Sequence, residues 1–149
     1  MYEDLLSFDT LVYANRDHPL AQAEAVTAED LAQCRWALIE GRAVQGVFED
    51  YFRTHRVREP LVALQSASIP MLTRAVAQLE LVTLLPRQLV GAGLPGSERL
   101  QALRTATPFG KARIGLIHRP HSVQTPVAQE FATLLKKHAK LLEQERTLA

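Results

Sequence analysis

Cysteine occurs once in the 149 residues, at Cys34, so no internal disulfide can staple this fold. Net charge is nearly missing as well. The 17 basic and 16 acidic residues leave +1, too little for a field that would draw in nucleic acid or an anionic membrane. Any DNA contact must therefore lie in other residues. Long apolar runs are also lacking: Arg, Gln or Glu interrupts each one far short of the ~20 residues that a membrane span requires. After Met1 come the acidic Glu3 and Asp4, where a secretory leader would carry basic and then apolar residues. Together these absences predict a cytoplasmic protein with no membrane partner. No internal repeat or low-complexity tract interrupts the chain. What it does have is a 47% hydrophobic content, enough for a packed core in a domain of this size.

Four short apolar runs recur, at Leu11 to Ala14, Trp36 to Ile39, Leu61 to Leu64 and Leu81 to Leu85. Each reads as a buried strand. They are nearly continuous rather than alternating, the pattern of strands covered on both faces, which predicts a parallel sheet with helices between its strands. Val44, Val47, Phe48, Tyr51 and Phe52 share one helical face in the second gap. Ile69, Leu72, Val76 and Leu79 do so in the third, opened by Ser68 as cap and Pro70 in the first turn. Thr27 and Asp30 form a capping box for a brief helix before Trp36. One more helical turn fits Gln88 to Val90, ahead of a break at Gly91, Gly93, Pro95 and Gly96. Leu100 and Leu103 mark a short strand, Pro108 to Gly110 a second break, and Ile114 to Ile117 a further strand. Thr125 and Pro126 then open a last helix, with Val127, Phe131, Leu134, Leu135 and Leu142 on its apolar side and Lys136, Lys137 and Lys140 toward water.

Alternating strands and helices are a common enzyme scaffold, but the residue inventory predicts no catalytic site. There is no GxSxG elbow, no HExxH and no Walker loop, and although Gly91, Gly93 and Gly96 match GxGxxG by letter, they fall in the break after Val90 and not in a turn that leads from a strand into a helix. His118 and His121, with His18 and His55, are read as scattered surface histidines, and neither a metal nor a cofactor is expected. Cys34 is read as a small core residue rather than an activated thiol. Two loops offer more. In open parallel sheets, ligands sit at the carboxyl ends of strands against the amino ends of the following helices. Gly41, Arg42, Ala43, Val44 and Gln45 follow one strand, offering free amides and a guanidinium to a carboxylate. Ser66, Ala67 and Ser68 follow another, with hydroxyls that serve a ligand or cap a helix. For Arg42 the plainer alternative is a solvated charge.

The order of these motifs resembles the effector-binding, or substrate-binding, domain of LysR-type transcriptional regulators. The resemblance rests on Tyr2-Glu3-Asp4, Asp17-His18-Pro19-Leu20-Ala21, Asp30-Leu31 before Trp36, the helix holding Phe48 and Phe52, and Leu84-Leu85-Pro86. Ile114-Gly115-Leu116-Ile117-His118-Arg119, then Thr125-Pro126 and Phe131, complete it, so that it covers nearly the whole chain. Gln78-Leu79-Glu80-Leu81 departs from the family, which usually has glycines there, and this bears on how closely a ligand could approach that backbone. The resemblance implies an α/β fold of the periplasmic-binding-protein-like type II, with one complete Rossmann-like subdomain plus the returning strand and C-terminal helix of the other. It implies a hinge or crossover over residues 1–7, effector subdomain II over 8–103, and a return segment of subdomain I over 104–149. The partners it implies are a small carboxylate or aromatic effector and a second copy in a homo-oligomer. DNA would be reached only through an N-terminal helix-turn-helix lying outside these residues. A free-standing solute-binding or interaction module of the same fold is the alternative.

Overall fold

The computed structural model describes residues 2–118 and 125–148, with side chains as far as residue 143. In chain order it contains β1 (Tyr2–Asn15), α1 (Ala28–Gln33), β2 (Trp36–Ile39), α2 (Arg42–Thr54), β3 (Val62–Ser66), α3 (Ile69–Gln78) and β4 (Val82–Pro86). Then follow α4 (Arg87–Gly91), β5 (Leu100–Ala102), β6 (Lys111–Ile117) and α5 (Pro126–Leu148). Short 3-10 turns at Pro19–Gln22 and Ser97–Arg99 complete the set. The chain divides into two compact units, one of Asp9–Gly110 and one of Met1–Phe8 with Lys111–Ala149.

In the unit Asp9–Gly110 the strands lie in the order β3-β2-β4-β1-β5. β2 runs parallel to both β3 and β4, whereas β1 runs antiparallel to β4 and to β5. The expected all-parallel sheet is thus corrected to a mixed one. Continuity of an apolar run reports that both faces are covered, and helices can cover a strand of either direction. On one face Val12, Ala14, Trp36, Leu38, Val82 and Leu84 pack against Leu31, Phe48 and Phe52 from α1 and α2. On the other, Tyr13, Ala37 and Leu85 meet Leu72, Val76 and Ala77 of α3. Trp36 is the hub of the first layer. Its ring contacts Phe48 edge-on at 4.9 Å and Phe52 at 5.9 Å, and its indole N–H donates to the Leu31 carbonyl at 3.0 Å.

Local signals held where they depend on neighbours in the chain. The Thr27 and Asp30 capping box is formed, Ser68 caps α3 ahead of Pro70, and the Thr125 hydroxyl accepts from the Ala128 amide at 3.3 Å. Three readings are corrected. Leu61 lies outside β3 and is 65% exposed, because β3 is an edge strand whose side chains alternate between half-buried and exposed up to Ser66. Leu79 follows the end of α3 and is exposed. The first strand extends over Tyr2–Asn15, well beyond the apolar run.

In the unit Met1–Phe8 with Lys111–Ala149, β6 pairs with β1. Gly115 permits the approach: a Cβ there would stand 2.5 Å from the Glu3 carbonyl oxygen and from the Tyr2 ring. The faces of α5 also differ from expectation. Ala132, Leu135 and Lys136 are half-buried and Ala139 is buried, while Val127, Phe131, Leu134 and Leu142 are exposed. Lys136, assigned to water, is half-buried and pairs with Glu3 at 2.8 Å.

Candidate functional site

Both loops singled out in the sequence sit at the carboxyl ends of neighbouring parallel strands. The β2 and β3 register pairs Ile39 with Ser66. One residue further on, the Glu40 amide donates to the Ser66 carbonyl at 3.1 Å, tying the loops together. Each loop opens a helix. Gly41 is the cap of α2, at φ 150° and ψ 138°, a torsion that favours glycine although a Cβ would meet nothing within 4 Å. Among the described residues no side chain caps α2, so its first amides are left for water or a ligand. Arg42 and Ala43 are exposed and Val44 is half-buried. Gln45 is otherwise engaged, its amide donating to the Glu49 carboxylate at 2.8 Å.

The serines divide the labour that the sequence left open. Ser66 is buried, and its hydroxyl oxygen accepts the Ser68 amide at 3.0 Å, building the turn itself. The Ser68 hydroxyl accepts the Met71 amide at 3.4 Å and caps α3. Ala67 and Ser68 are exposed. The two loops adjoin at one end of the sheet while their helices cover opposite faces, and the uncapped amides of α2 with the Arg42 guanidinium suit an anion.

A second group of titratable side chains lies at the opposite end of the sheet, before β2 and β4. A cleft of about 370 Å³ there is lined by His18, Asp30, Cys34 and Glu80, among others. His18 is buried, which corrects its reading as a surface histidine. Its Nδ1 accepts the Leu20 amide at 3.1 Å and so caps the Pro19–Gln22 turn. Burial holds the imidazole below its ordinary value, with the Glu80 carboxylate working the other way. Burial pushes the Cys34 thiol up to about 11, with help from Asp30 and Glu80, and its Sγ faces the Asp30 carbonyl at 3.4 Å. A protonated thiol is a poor nucleophile, in line with the structural role read for Cys34. His121 lies outside the described residues. Leu79, Glu80 and Leu81 also sit at this end, away from the two loops. The departure from the family's glycines therefore does not touch the loop surface.

A family model described as the LysR substrate binding domain matches residues 2–140. The chain belongs to this family. No match was found among curated proteins. Solved structures agree on the fold. The chain is similar to the CcmR regulatory domain of Synechocystis PCC6803, solved in complex with 2-PG, at TM-score 0.80 and 22% identity, over 94% of this chain and 67% of that one. It is similar to the effector binding domain of QuiR in complex with shikimate, at TM-score 0.76 and 15% identity, over 94% and 65%. A LysR-family regulator from Pseudomonas aeruginosa aligns at TM-score 0.72 and 19% identity, over 93% of this chain and 48% of its own. This LysR-family chain thus has the periplasmic-binding-protein-like α/β fold that the resemblance implied. Among the described residues no helix is long and apolar enough to cross a membrane.

Proposed function

We propose that this chain is the effector-sensing part of a LysR-type transcriptional regulator and performs no catalysis. A small carboxylate or aromatic metabolite binds against Gly41, Arg42, Ala43, Val44 and Gln45 on one loop and Ser66, Ala67 and Ser68 on the other. Residues 1–7 serve as hinge, 8–103 as effector subdomain II and 104–149 as the return segment of subdomain I. The observation that carries the reading is the pair of adjoining loops, joined through Glu40 and Ser66, with the α2 amides uncapped. Relatives of the same fold solved with 2-PG and with shikimate support it. Binding acts by favouring one arrangement of an oligomer, and a coupling of about 1 to 3 kcal/mol suffices for a useful response. The protein works in the cytoplasm and reaches DNA through a helix-turn-helix outside these residues.

Calorimetric titration of shikimate and a panel of small carboxylates tests the site. Weak binding is expected for this chain, since its contacts come from two loops alone, and in the complete regulator Arg42→Ala is expected to abolish carboxylate binding. Unchanged binding in that variant removes Arg42 from the site. The exposed apolar residues of α5 and β6 support self-association, so light scattering is expected to show a dimer or larger assembly. A monodisperse monomer counts against it.

A further inference from the structure

The segment 104–110 carries the chain out of the unit Asp9–Gly110, and it is pinned at three places. Near its start, Val26 and residues 104–106 exchange two backbone hydrogen bonds, Val26 N–H to the Arg104 carbonyl and Ala106 N–H to the Val26 carbonyl, both at 2.8 Å. At its end, the Thr10 amide and hydroxyl both donate to the Gly110 carbonyl, at 3.3 and 3.0 Å. Between them lies a contact made by side chains alone. Phe109 is buried and stacks on Tyr51 of α2, with centroids 3.7 Å apart and planes 8° from parallel. Thr107 joins the Tyr51 hydroxyl at 3.0 Å and the His55 Nε2 at 2.9 Å. The His55 Nδ1 faces the Tyr51 carbonyl at 2.7 Å.

With the His55 ring neutral, these contacts set the direction of every proton. A carbonyl oxygen has no hydrogen to give, so Nδ1 carries the ring proton and donates to it. In the neutral ring Nε2 is then bare and accepts the Thr107 hydroxyl. Thr107 Oγ1 in turn accepts the Tyr51 hydroxyl. The chain of donors runs one way, from Tyr51 through Thr107 to His55 and back to the Tyr51 carbonyl, closing a ring between the end of α2 and the exit segment. A valine in place of Thr107 has the same shape but breaks two links, whereas serine keeps both.

We propose that Tyr51, His55, Thr107 and Phe109 form a latch that fixes the exit segment to the last turns of α2, with His55 and Thr107 as positioning residues. The helix that begins at the Gly41 to Gln45 loop thereby ends on the point where the chain leaves this unit. A displacement of α2 is carried along a packed contact to Phe109 and Gly110, the last residues of this unit. The relay of an effector signal along this path rests on the function proposed above. The latch itself does not.

Long-range proton–nitrogen correlation on the histidine rings, recorded with the rings neutral, reads the latch without any effector. Wild type is expected to hold His55 in the Nδ1–H form. Thr107→Val is expected to release it to a mixture of tautomers and to speed hydrogen exchange of the Ala106 and Thr10 amides roughly 2- to 10-fold, the range for losing one part-buried hydrogen bond, the second link being exposed and adding little. Thr107→Ser restores both readouts. Tyr51→Phe keeps the tautomer and gives the smaller rise in exchange. Unchanged protection of the Val82 and Leu84 amides shows that the fold is intact. An Nε2–H tautomer in wild type overturns the latch, as does Thr107→Val with unchanged tautomer and exchange. No ligand is added, so failure of the effector reading leaves these outcomes standing.

Discussion

The two units of this chain use similar apolar residues in opposite ways. In Asp9–Gly110 the large side chains are inside: Trp36, Phe48, Phe52, Leu72 and Val76 are all at most 1% exposed. In Met1–Phe8 with Lys111–Ala149, Ile117 is 82% exposed, Val127 77% and Phe131 61%, and Ala139 is the buried apolar residue among those described. Both sets of residues follow the periodicity of their elements. Periodicity therefore identifies which side chains share a face, while burial depends on whether another layer is folded against that face.

The sharpest way to break the contrast is to truncate one aromatic in each unit. Trp36→Ala removes the hub of the aromatic layer and the indole bond to the Leu31 carbonyl, and is expected to cost about 3 to 5 kcal/mol in urea denaturation. Phe131→Ala is expected to change stability by under about 1 kcal/mol. Comparable losses for both would mean that α5 is buried in solution. Next in size is Gly115→Ala, which drives a methyl group into the Glu3 carbonyl and the Tyr2 ring. About 1 to 3 kcal/mol is expected, seen as faster exchange of β6 amides while β4 stays protected. Simultaneous loss of protection in both strands would show the two units unfolding as one.

Two smaller effects probe the well-packed unit. Thr83 is fully buried, and its hydroxyl is the buried side-chain group without a hydrogen bond among the described residues. Thr83→Val keeps the shape and removes the unpaired polar group, so thermal unfolding should report a gain of about 1 kcal/mol. A loss would mean that the hydroxyl finds a partner in solution. His18 supplies the pH dependence. Its folded value lies below the ordinary 6.5, so the unfolded chain binds the proton more readily. Its contribution is complete above about 6.5 and declines as pH falls from there toward the depressed folded value. His18→Asn keeps an acceptor for the Leu20 amide, and its stability should fall less between about pH 7 and 5. Parallel pH curves for wild type and variant would assign the titration to another group.

Much of the fold was legible because its signals are local. The capping box of Thr27 and Asp30, the Ser68 cap with Pro70, and the stripe of Phe48, Tyr51 and Phe52 each involve residues within a few positions of one another. The candidate loops were legible for the same reason, as segments between a strand and a helix start. Their adjacency was not, since the bond from Glu40 to Ser66 depends on β2 and β3 being neighbours in the sheet. Nor did the sequence announce that Ser66 builds the turn ahead of the Ser68 cap, because its hydroxyl takes the Ser68 amide only once the chain bends there. His18 was misread because nothing near it in sequence announces burial. Its neighbours Asp17 and Pro19 are typical of a surface turn, and what covers the ring comes from elsewhere.

By itself the sequence determined the order and type of most elements, the caps that open several helices, and the family to which that order of motifs belongs. Hydrogen bonding and side-chain period act within a turn or two, so those features survive without knowledge of the fold. Tertiary structure alone decided the antiparallel course of β1, the edge position of β3, the inward face of α5 and the joining of Tyr51 and His55 to Thr107. Each of these depends on residues far apart in the chain being brought together, and no residue's chemistry encodes the identity of a distant neighbour.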